Sequence, residues 1–353
     1  MSDTKYLAFV GTNSVRGSRG IYSVAIDGAC AAAEIVATHP AYNAGAMTLG
    51  ANDRVYAGVE GMTFRGLADG GVTGYAFDKR TGRLTEVGAA RSHGQRTCCV
   101  SIDRAAQNLY ACNFYQGTMS MFALDDNGAP QPARCVVQGR DVPGAHKALH
   151  AVCAIQDRYV GVISLTECAL IIYAADDGRR ITSYAFPGKP FCRYLESCGD
   201  CLYALMQDPG DVYVFRNRLD ADGSIEMIQK ISVLQKPIKG HYGTTTIRAT
   251  PNGQLMLAAT RSTNTMTVYH ILQDGRLEIG NVVTLPGQTP RDFGISSDGT
   301  LVVSALQRSD EICIHTIDYA RATLVDTGVK VAIPSPAAVA VYGKYCRCQQ
   351  EAM

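Results

Sequence analysis

Long apolar runs, an excess of charge and a secretion signal are all missing from this 353-residue chain. No segment reaches the roughly 18 apolar residues that a membrane-spanning helix needs. The 33 basic and 32 acidic residues leave a formal net charge of +1, so no nucleic-acid or membrane partner is expected. The first residues, Met-Ser-Asp-Thr-Lys, lack the apolar stretch of a signal peptide. We therefore expect a cytoplasmic protein; none of these features bears on its oligomeric state.

Several motifs of catalytic chemistry are also missing from the sequence. There is no Ser-His-Asp arrangement, no glycine loop of the kind that cradles phosphate, and no dense cluster of metal-ligating side chains. The sequence therefore predicts neither a metal ion nor a cofactor. Any site must be assembled from residues that are distant in the chain.

Cysteine, in contrast, is abundant, with 13 residues scattered along the chain. An odd number of cysteines inside apolar runs, without an export signal, is typical of reduced thiols that serve as small hydrophobic side chains. Two spacings resemble motifs. Cys198 and Cys201 flank a Gly-Asp pair that predicts a hairpin turn, and Cys346 and Cys348 lie in a polar terminus. Neither pair is expected to be a redox or zinc site.

A short β-rich run recurs through the chain at intervals of roughly 50 residues, which is the signature of a repeat architecture. Each copy is a strand-like run that usually ends in a polar or charged residue. The seven copies cover residues 6–12, 54–60, 108–114, 158–164, 201–207, 255–261 and 301–307.

Each copy is followed by a second alternating run and then by an Asp-rich or Gly-rich turn, and it is preceded by a third run. With a weaker outer strand, each repeat holds about four strands, the unit of a propeller blade. The first copy has no inner strand before it, whereas residues 337–342 form a spare strand at the other end. We therefore predict an all-β, seven-bladed propeller of four-stranded antiparallel blades over residues 1–343. Its C-terminal strand closes the N-terminal blade, and residues 344–353 form a polar tail.

The ends of the second strands and the starts of the innermost strands lie on one face of such a propeller. They therefore predict a ring of residues around the central channel. The ends of the second strands supply Glu60, Asn113, Glu167, Gln207, Arg261 and Gln307. The starts of the innermost strands supply Cys99, His150, Arg193, Tyr242 or Thr245, and Arg291.

This ring is polar enough to bind a small anionic ligand. Arginine offers a planar set of donors suited to carboxylate or phosphate, and His150 is the candidate acid or base near neutral pH. The alternative is that Arg261 and Arg291 are channel-lining residues held in ion pairs, with Glu60 or Asp292 as partners.

Particular stretches resemble those of a known family across almost the whole chain. They include Val10-Gly11-Thr12, Asn113-Phe114-Tyr115, Leu149-His150 and, most specifically, Thr289-Pro290-Arg291-Asp292-Phe293 before a Ser-Asp-Gly turn. The chain is similar to the seven-bladed lactonase family, which includes bacterial propeller-type 6-phosphogluconolactonases and fungal carboxy-muconate lactonizing enzymes. The resemblance implies metal-independent chemistry on a small acidic lactone. It implies catalytic roles for His150, Arg193, Arg261 and Glu60, and substrate binding by Arg291, Gln207, Asn113, Gln307, Glu167 and Tyr115.

The chain departs from the family pattern at several site positions. The usual His-x-His is Ala148-Leu149-His150, and the usual glutamate after the fourth-blade strand is Gln207. These departures favour a lactone other than 6-phosphogluconolactone, or a shifted role for Glu167 or Glu60. Two further hypotheses stay open: an isomerase or cycloisomerase of an unsaturated or keto acid, and a non-catalytic propeller that binds a ligand or a protein.

Overall fold

The computed structural model describes residues 4–140 and 147–346, and these form seven four-stranded antiparallel sheets. Blade 1 consists of β1 (Thr4–Thr12), β2 (Ile21–Asp27), β3 (Ala33–His39) and β28 (Pro336–Cys346). Blade 2 consists of β4 (Ala44–Gly50), β5 (Arg54–Val59), β6 (Gly71–Phe77) and β7 (Leu84–Arg91). Blade 3 consists of β8 (Thr97–Ile102), β9 (Asn108–Asn113), β10 (Thr118–Ala123) and β11 (Cys135–Gln138). Blade 4 consists of β12 (Leu149–Ile155), β13 (Tyr159–Ser164), β14 (Ala169–Ala174) and β15 (Arg180–Ala185).

The three remaining blades follow in chain order. Blade 5 consists of β16 (Phe191–Cys198), β17 (Cys201–Asp208), β18 (Asp211–Arg218) and β19 (Ser224–Ser232), with the short helix α1 (Leu219–Asp222) before its last strand. Blade 6 consists of β20 (Thr244–Ala249), β21 (Leu255–Thr260), β22 (Thr265–Ile271) and β23 (Leu277–Thr284). Blade 7 consists of β24 (Pro290–Ile295), β25 (Leu301–Leu306), β26 (Glu311–Asp318) and β27 (Thr323–Ala332). Across the described ranges, no helix is long and apolar enough to cross a membrane.

Burial follows the position of a strand within its blade. The second strands β21 and β25 are buried at every residue, because both of their faces pack against neighbouring blades. The outermost strand β27 alternates between half-buried and exposed side chains. This difference explains why the seven second strands were the clearest repeat in the sequence: a strand buried on both faces is a nearly continuous apolar run.

The ring is closed by the two ends of the chain. β28 is the innermost strand of blade 1 and pairs antiparallel with β1, as the sequence predicted. Each innermost strand contacts the innermost strand of the next blade, including β24 with β28 and β28 with β4. The pairing continues through Cys346, past the predicted start of the polar tail, and residues 347–353 of that tail lie outside the described residues.

The cysteines behave as the sequence indicated. All eleven cysteines whose side chains are described are free thiols, and most are buried. Cys198 and Cys201 face each other across the β16–β17 hairpin, and Gly199 has a φ of 56° at the turn. This confirms the hairpin interpretation of the Cys-Gly-Asp-Cys motif. Cys348 is outside the described residues.

Candidate active site

The innermost strand of every blade is interrupted close to its start by a β-bulge. A bulge sets two residues opposite one residue of the neighbouring strand, which takes a side chain out of the regular alternation. One chamber on the axis of the propeller is lined by bulge residues from all seven blades: Ala337, Gly45, Cys98, His150, Arg193, Thr245 and Arg291. The ring predicted from strand starts therefore exists, and the bulges form it.

This inner chamber encloses about 50 Å³, which is room for only one or two water molecules. It adjoins a second cavity of about 350 Å³, which we call the outer lobe and which shares Glu60 and Arg291 with the chamber. Pockets for small molecules usually measure roughly 300–1,000 Å³. A ligand must therefore place its body in the outer lobe and reach the chamber with a small polar group.

Glu60 follows β5 and is held by two guanidinium groups. Its carboxylate lies 2.6 Å from Arg291 Nη2 and 3.2 Å from Arg96 Nη2, and its side chain is 8% exposed. Burial alone would raise the pKa of Glu60, but the charges of Arg291 and Arg96 outweigh it and hold the pKa below its usual value. Glu60 is therefore a carboxylate throughout the neutral pH range.

Arg193 and Arg261 converge on one neutral oxygen. Arg193 Nη1 lies 3.2 Å and Arg261 Nη2 3.1 Å from Gln207 Oε1, and both donate to it. Gln207 is left without a strand partner, because the β16–β17 register shifts beside it. Among the described residues, neither guanidinium forms an ion pair with a carboxylate.

The electrostatics of this pair follow from burial and from crowding of like charges. Burial, followed by repulsion from Arg291 and Arg261, lowers the pKa of Arg193 to about 9. Burial and the charge of Arg291 also lower the pKa of Arg261. Arg291, Arg96 and Arg193 act on the carboxylate of Glu60, and Arg261 adds a fourth guanidinium group that is repelled by Arg291. An arrangement with this excess of positive charge is stabilised by a bound anion.

The His150 imidazole lies between two aromatic rings, with centroid distances of 5.7 Å to Phe114 and 6.3 Å to Phe191. Its Nε2 is 2.9 Å from Arg193 Nη1. Because a guanidinium can only donate, Nε2 accepts this hydrogen bond and the ring carries its proton on Nδ1. Burial, followed by the charge of Arg193, lowers the pKa of His150 well below its ordinary value. The ring is therefore a neutral imidazole.

The structure brings six of the ten predicted site residues into this cluster, and it places the other four elsewhere. Glu167 forms an ion pair of 2.8 Å with Arg180 of β15. Tyr115 stands at the wall of the outer lobe beneath the Arg96 guanidinium. The backbone carbonyl of Gln307 accepts a hydrogen bond from the exposed Arg16.

Asn113 is the fourth of these residues, and it is fully buried inside blade 3. Its Nδ2 donates to Ser92 O and Thr118 Oγ1 at 2.6 and 2.8 Å. Its Oδ1 accepts from Ser92 Oγ and Thr97 Oγ1 at 2.8 and 2.9 Å. Because every hydrogen-bonding position of the amide is in use, the side chain connects strands rather than facing the chamber.

We expect Asn113→Ala to lower the free energy of unfolding by about 2–3 kcal/mol, because it removes the four hydrogen bonds of a fully buried amide. Chemical denaturation measures the effect. Asn281→Ala is the matched control: this exposed residue of the outer strand β23 donates only to the backbone carbonyls of Arg321 and Ala322, so its loss should matter far less. Ligand affinity that fell in Asn113→Ala at unchanged stability would instead place Asn113 in the binding site.

Two residues of the site were not found from the sequence. Arg96 is the residue just before the innermost strand β8, so it is not itself a strand start. A basic residue next to a strand start could nevertheless have indicated a place in the site. In blade 3 the predicted Cys99 lines the chamber, and the bulge adds Cys98 beside it. Thr245, and not Tyr242, is the blade 6 member of the chamber.

No group of three or more His, Cys, Asp or Glu side chains in residues 4–140 and 147–346 is arranged to hold a metal ion. The charged groups of the site are dominated by guanidinium groups, which repel cations.

Comparison with known proteins agrees with this architecture. Residues 7–341 match the family model described as "Lactonase, 7-bladed beta-propeller". The 6-phosphogluconolactonase of Bacillus subtilis (strain 168) is 23% identical over 95% of this chain and 98% of its own length. That of Klebsiella pneumoniae (strain 342) is 25% identical over 73% of this chain and 77% of its own. The solved periplasmic gluconolactonase of Pseudomonas aeruginosa superposes with a TM-score of 0.85 at 20% identity, covering 96% of this chain and 99% of that one.

Proposed function

Because this chain belongs to the seven-bladed β-propeller lactonase family, we propose that it hydrolyses a small anionic lactone at the mouth of the inner chamber, without a metal ion. One observation carries the proposal: Arg193 and Arg261 share a neutral oxygen and lack a carboxylate partner among the described residues. A carboxylate or phosphate of the substrate supplies the missing counter-charge. The guanidinium fork suits either group.

The same guanidinium groups can stabilise the reaction itself. Water attacks the lactone carbonyl, the carbonyl oxygen takes up negative charge, and the ring C–O bond then breaks. Arginine donors near that oxygen lower the barrier, because they are already oriented in a largely dry site. Protonation of the departing ring oxygen gives the hydroxyl group of the product, and the carbonyl carbon becomes its carboxylate.

His150 is the candidate group for moving the proton. Its Nε2 accepts a hydrogen bond from Arg193 Nη1 at 2.9 Å. An anionic substrate that attracts Arg193 frees Nε2 to accept a proton from the attacking water. His150 is neutral because its pKa is lowered, so it is in the correct protonation state before substrate arrives. Glu60 orients Arg291 and Arg96 on the opposite side of the chamber.

The direct test is hydrolysis of acidic lactones, such as sugar-acid lactones and their phosphorylated forms, in water labelled with oxygen-18. We expect one labelled oxygen in the carboxylate of the product. An isomerase would leave the label out, because its reaction includes no attack by water. Arg261→Met should lower the activity by about 10²–10³-fold, since it removes one of the two guanidinium groups that share the Gln207 oxygen.

The pH dependence of the same reaction gives a second test. Since the pKa of His150 is lowered well below 6.5, the rate should not fall as the pH drops through 6.5. It should fall only at more acidic pH, where the imidazole finally takes up a proton. A rate that halves near pH 6.5 would indicate that a different, ordinary histidine is the base.

A second candidate function is binding of an anionic ligand without catalysis. It is favoured by Gln207, an amide that cannot exchange protons, at a position where the family usually has a glutamate. Tight binding of an acid together with no turnover of its lactone would support it. The small anionic ligand is common to both candidates, and neither calls for a nucleic-acid or membrane partner.

We further propose a cytoplasmic location. The free thiols of the described cysteines support it, because disulfides are rare in reducing compartments.

A further inference from the structure

The outer lobe differs in chemistry from the inner chamber. Twelve large apolar side chains are exposed among those described, and four of them line this one cavity: Val15, Tyr42, Met62 and Tyr115. Each is between 47% and 52% exposed. Single exposed apolar side chains are ordinary, whereas their convergence beside a charged floor is typical of a binding site.

Hydrogen bonds between side chains and the backbone hold the apolar walls of the outer lobe in place. Ser14 N donates to Asn43 Oδ1 at 2.7 Å, and Asn43 N donates back to Ser14 Oγ at 2.9 Å, so the loop that carries Val15 is tied to the segment that carries Tyr42. Gln95 Nε2 donates to Met62 O at 2.8 Å. A wall that is fixed before the ligand arrives does not have to be ordered on binding, which favours affinity.

Close packing also fixes the Tyr42 ring. A Cβ added to Gly61 would lie 2.5 Å from Tyr42 Cε1, so the ring can occupy its place only because residue 61 has no side chain.

The carboxylate at the floor of the outer lobe already has hydrogen-bond partners, although Arg291 Nε has none among the described residues. Glu60 accepts hydrogen bonds from Arg96 and Arg291, and the Arg96 guanidinium also lies 5.1 Å above the Phe114 ring and 5.7 Å above the Tyr115 ring. A polyhydroxylated sugar chain needs many donors and acceptors, because each buried hydroxyl without a partner weakens binding. The lobe instead offers aromatic and aliphatic surface.

We propose that the outer lobe binds an apolar substituent of the acidic lactone, such as an aryl ring or a short branched acyl chain. The anionic group of the same molecule lies on Arg193 and Arg261. This inference rests on the proposed function and narrows its substrate class, from anionic lactones in general to those that carry a hydrophobic group in place of a chain of hydroxyls. The small volume of the inner chamber supports it, since the body of any ligand must contact these walls.

Three dianions of equal charge test the inference by isothermal titration calorimetry: glutarate, glucarate and 3-phenylglutarate. The phenyl group has apolar surface to bury and the four hydroxyls of glucarate do not. We therefore expect 3-phenylglutarate to bind at least about tenfold more tightly than the other two. Its binding should also have the more negative heat-capacity change, the general sign of apolar burial.

Variants of the lobe locate the effect. Met62→Ser should remove most of the advantage of the phenyl compound and leave glutarate affinity unchanged. Met227→Ser is the matched control, because Met227 is a comparably exposed methionine on the outer strand β19, and it should change neither. Both side chains are at the surface, so both variants should fold.

The outcomes separate the two proposals. Glucarate as the tightest ligand, or a phenyl advantage that survives Met62→Ser, would overturn the apolar lobe. Glutarate binding that is lost in Arg261→Met would at the same time leave the proposed anion site standing. If none of the three dianions binds, the anion site itself is wrong and the lobe inference falls with it.

Discussion

Replacing Arg193 with methionine is expected to lower kcat/KM for acidic lactones by about 10²–10³-fold, the usual loss when one oriented electrostatic donor is removed. The guanidinium is within hydrogen-bonding distance of both His150 Nε2 and Gln207 Oε1. The variant therefore loses one of the guanidinium groups that bind the substrate anion. It also loses the hydrogen-bond partner of His150 Nε2, the proposed base. Steady-state kinetics on the substrate identified by the labelling experiment measure the loss.

The same substitution is expected to raise the melting temperature. Burial, together with repulsion by Arg291 and Arg261, lowers the pKa of Arg193 to about 9, well below the ordinary value of an arginine. The folded chain thus binds the Arg193 proton less tightly than the unfolded chain does. The resulting penalty is fully present below about pH 9 and decreases as the pH rises above that value toward the ordinary pKa of arginine. Methionine removes the penalty at neutral pH while filling a similar volume, and calorimetry should detect the gain.

Arg180→Met is the matched control, and its effects should have the opposite pattern. Arg180 is an ion-paired arginine outside the inner chamber. Its removal leaves the partly buried Glu167 without the partner that lies 2.8 Å away. We expect lower stability, by about 1–3 kcal/mol, with unchanged kcat/KM. If Arg180→Met instead reduced activity as strongly as Arg193→Met, Glu167 would belong to the catalytic site, the shifted role that the departures from the family pattern left open.

The fold was predictable because its evidence repeats. Seven second strands, each buried on both faces, produced seven apolar runs, and the unpaired run at 337–342 indicated how the ring closes. Much of the site was predictable for the same reason, since strand ends recur at equivalent places in every blade. His150, Arg193, Gln207 and Arg261 were all identified in this way.

The remaining site residues depend on local geometry that repeats do not encode. A one-residue bulge adds Cys98 to the chamber lining beside Cys99, and no residue type in that stretch specifies where the bulge falls. Asn113 occupies the expected strand end, but its register partners Thr97 and Thr118 bring hydroxyls to its amide and hold it inside the blade. Whether a side chain faces the chamber or is held inside the blade depends on its neighbours on the adjacent strands. The sequence of one strand does not contain this information.

Gln207→Glu is the substitution that most directly tests how charge is distributed in the site. It places a carboxylate where Arg193 and Arg261 already donate to a neutral oxygen, at 3.2 and 3.1 Å. Both guanidinium groups gain an ion pair, so the melting temperature should rise. The substrate anion then competes with an internal carboxylate, and we expect its Kd and KM to increase about 10- to 100-fold. Stability and affinity therefore change in opposite directions.

Gln229→Glu is the control for the added negative charge. The Gln229 side chain forms hydrogen bonds with the backbone of Leu277 between blades 5 and 6, away from the inner chamber. It should leave ligand binding unchanged and lower stability slightly, since a carboxylate cannot donate to the Leu277 carbonyl. A Gln207→Glu variant with a higher kcat would contradict the charge argument. It would mean that the glutamate usual in the family is a proton-transfer group, and that Gln207 marks a catalytic step this chain has lost. A lower affinity with unchanged kcat would instead identify Gln207 as the residue that keeps two arginines available for the substrate.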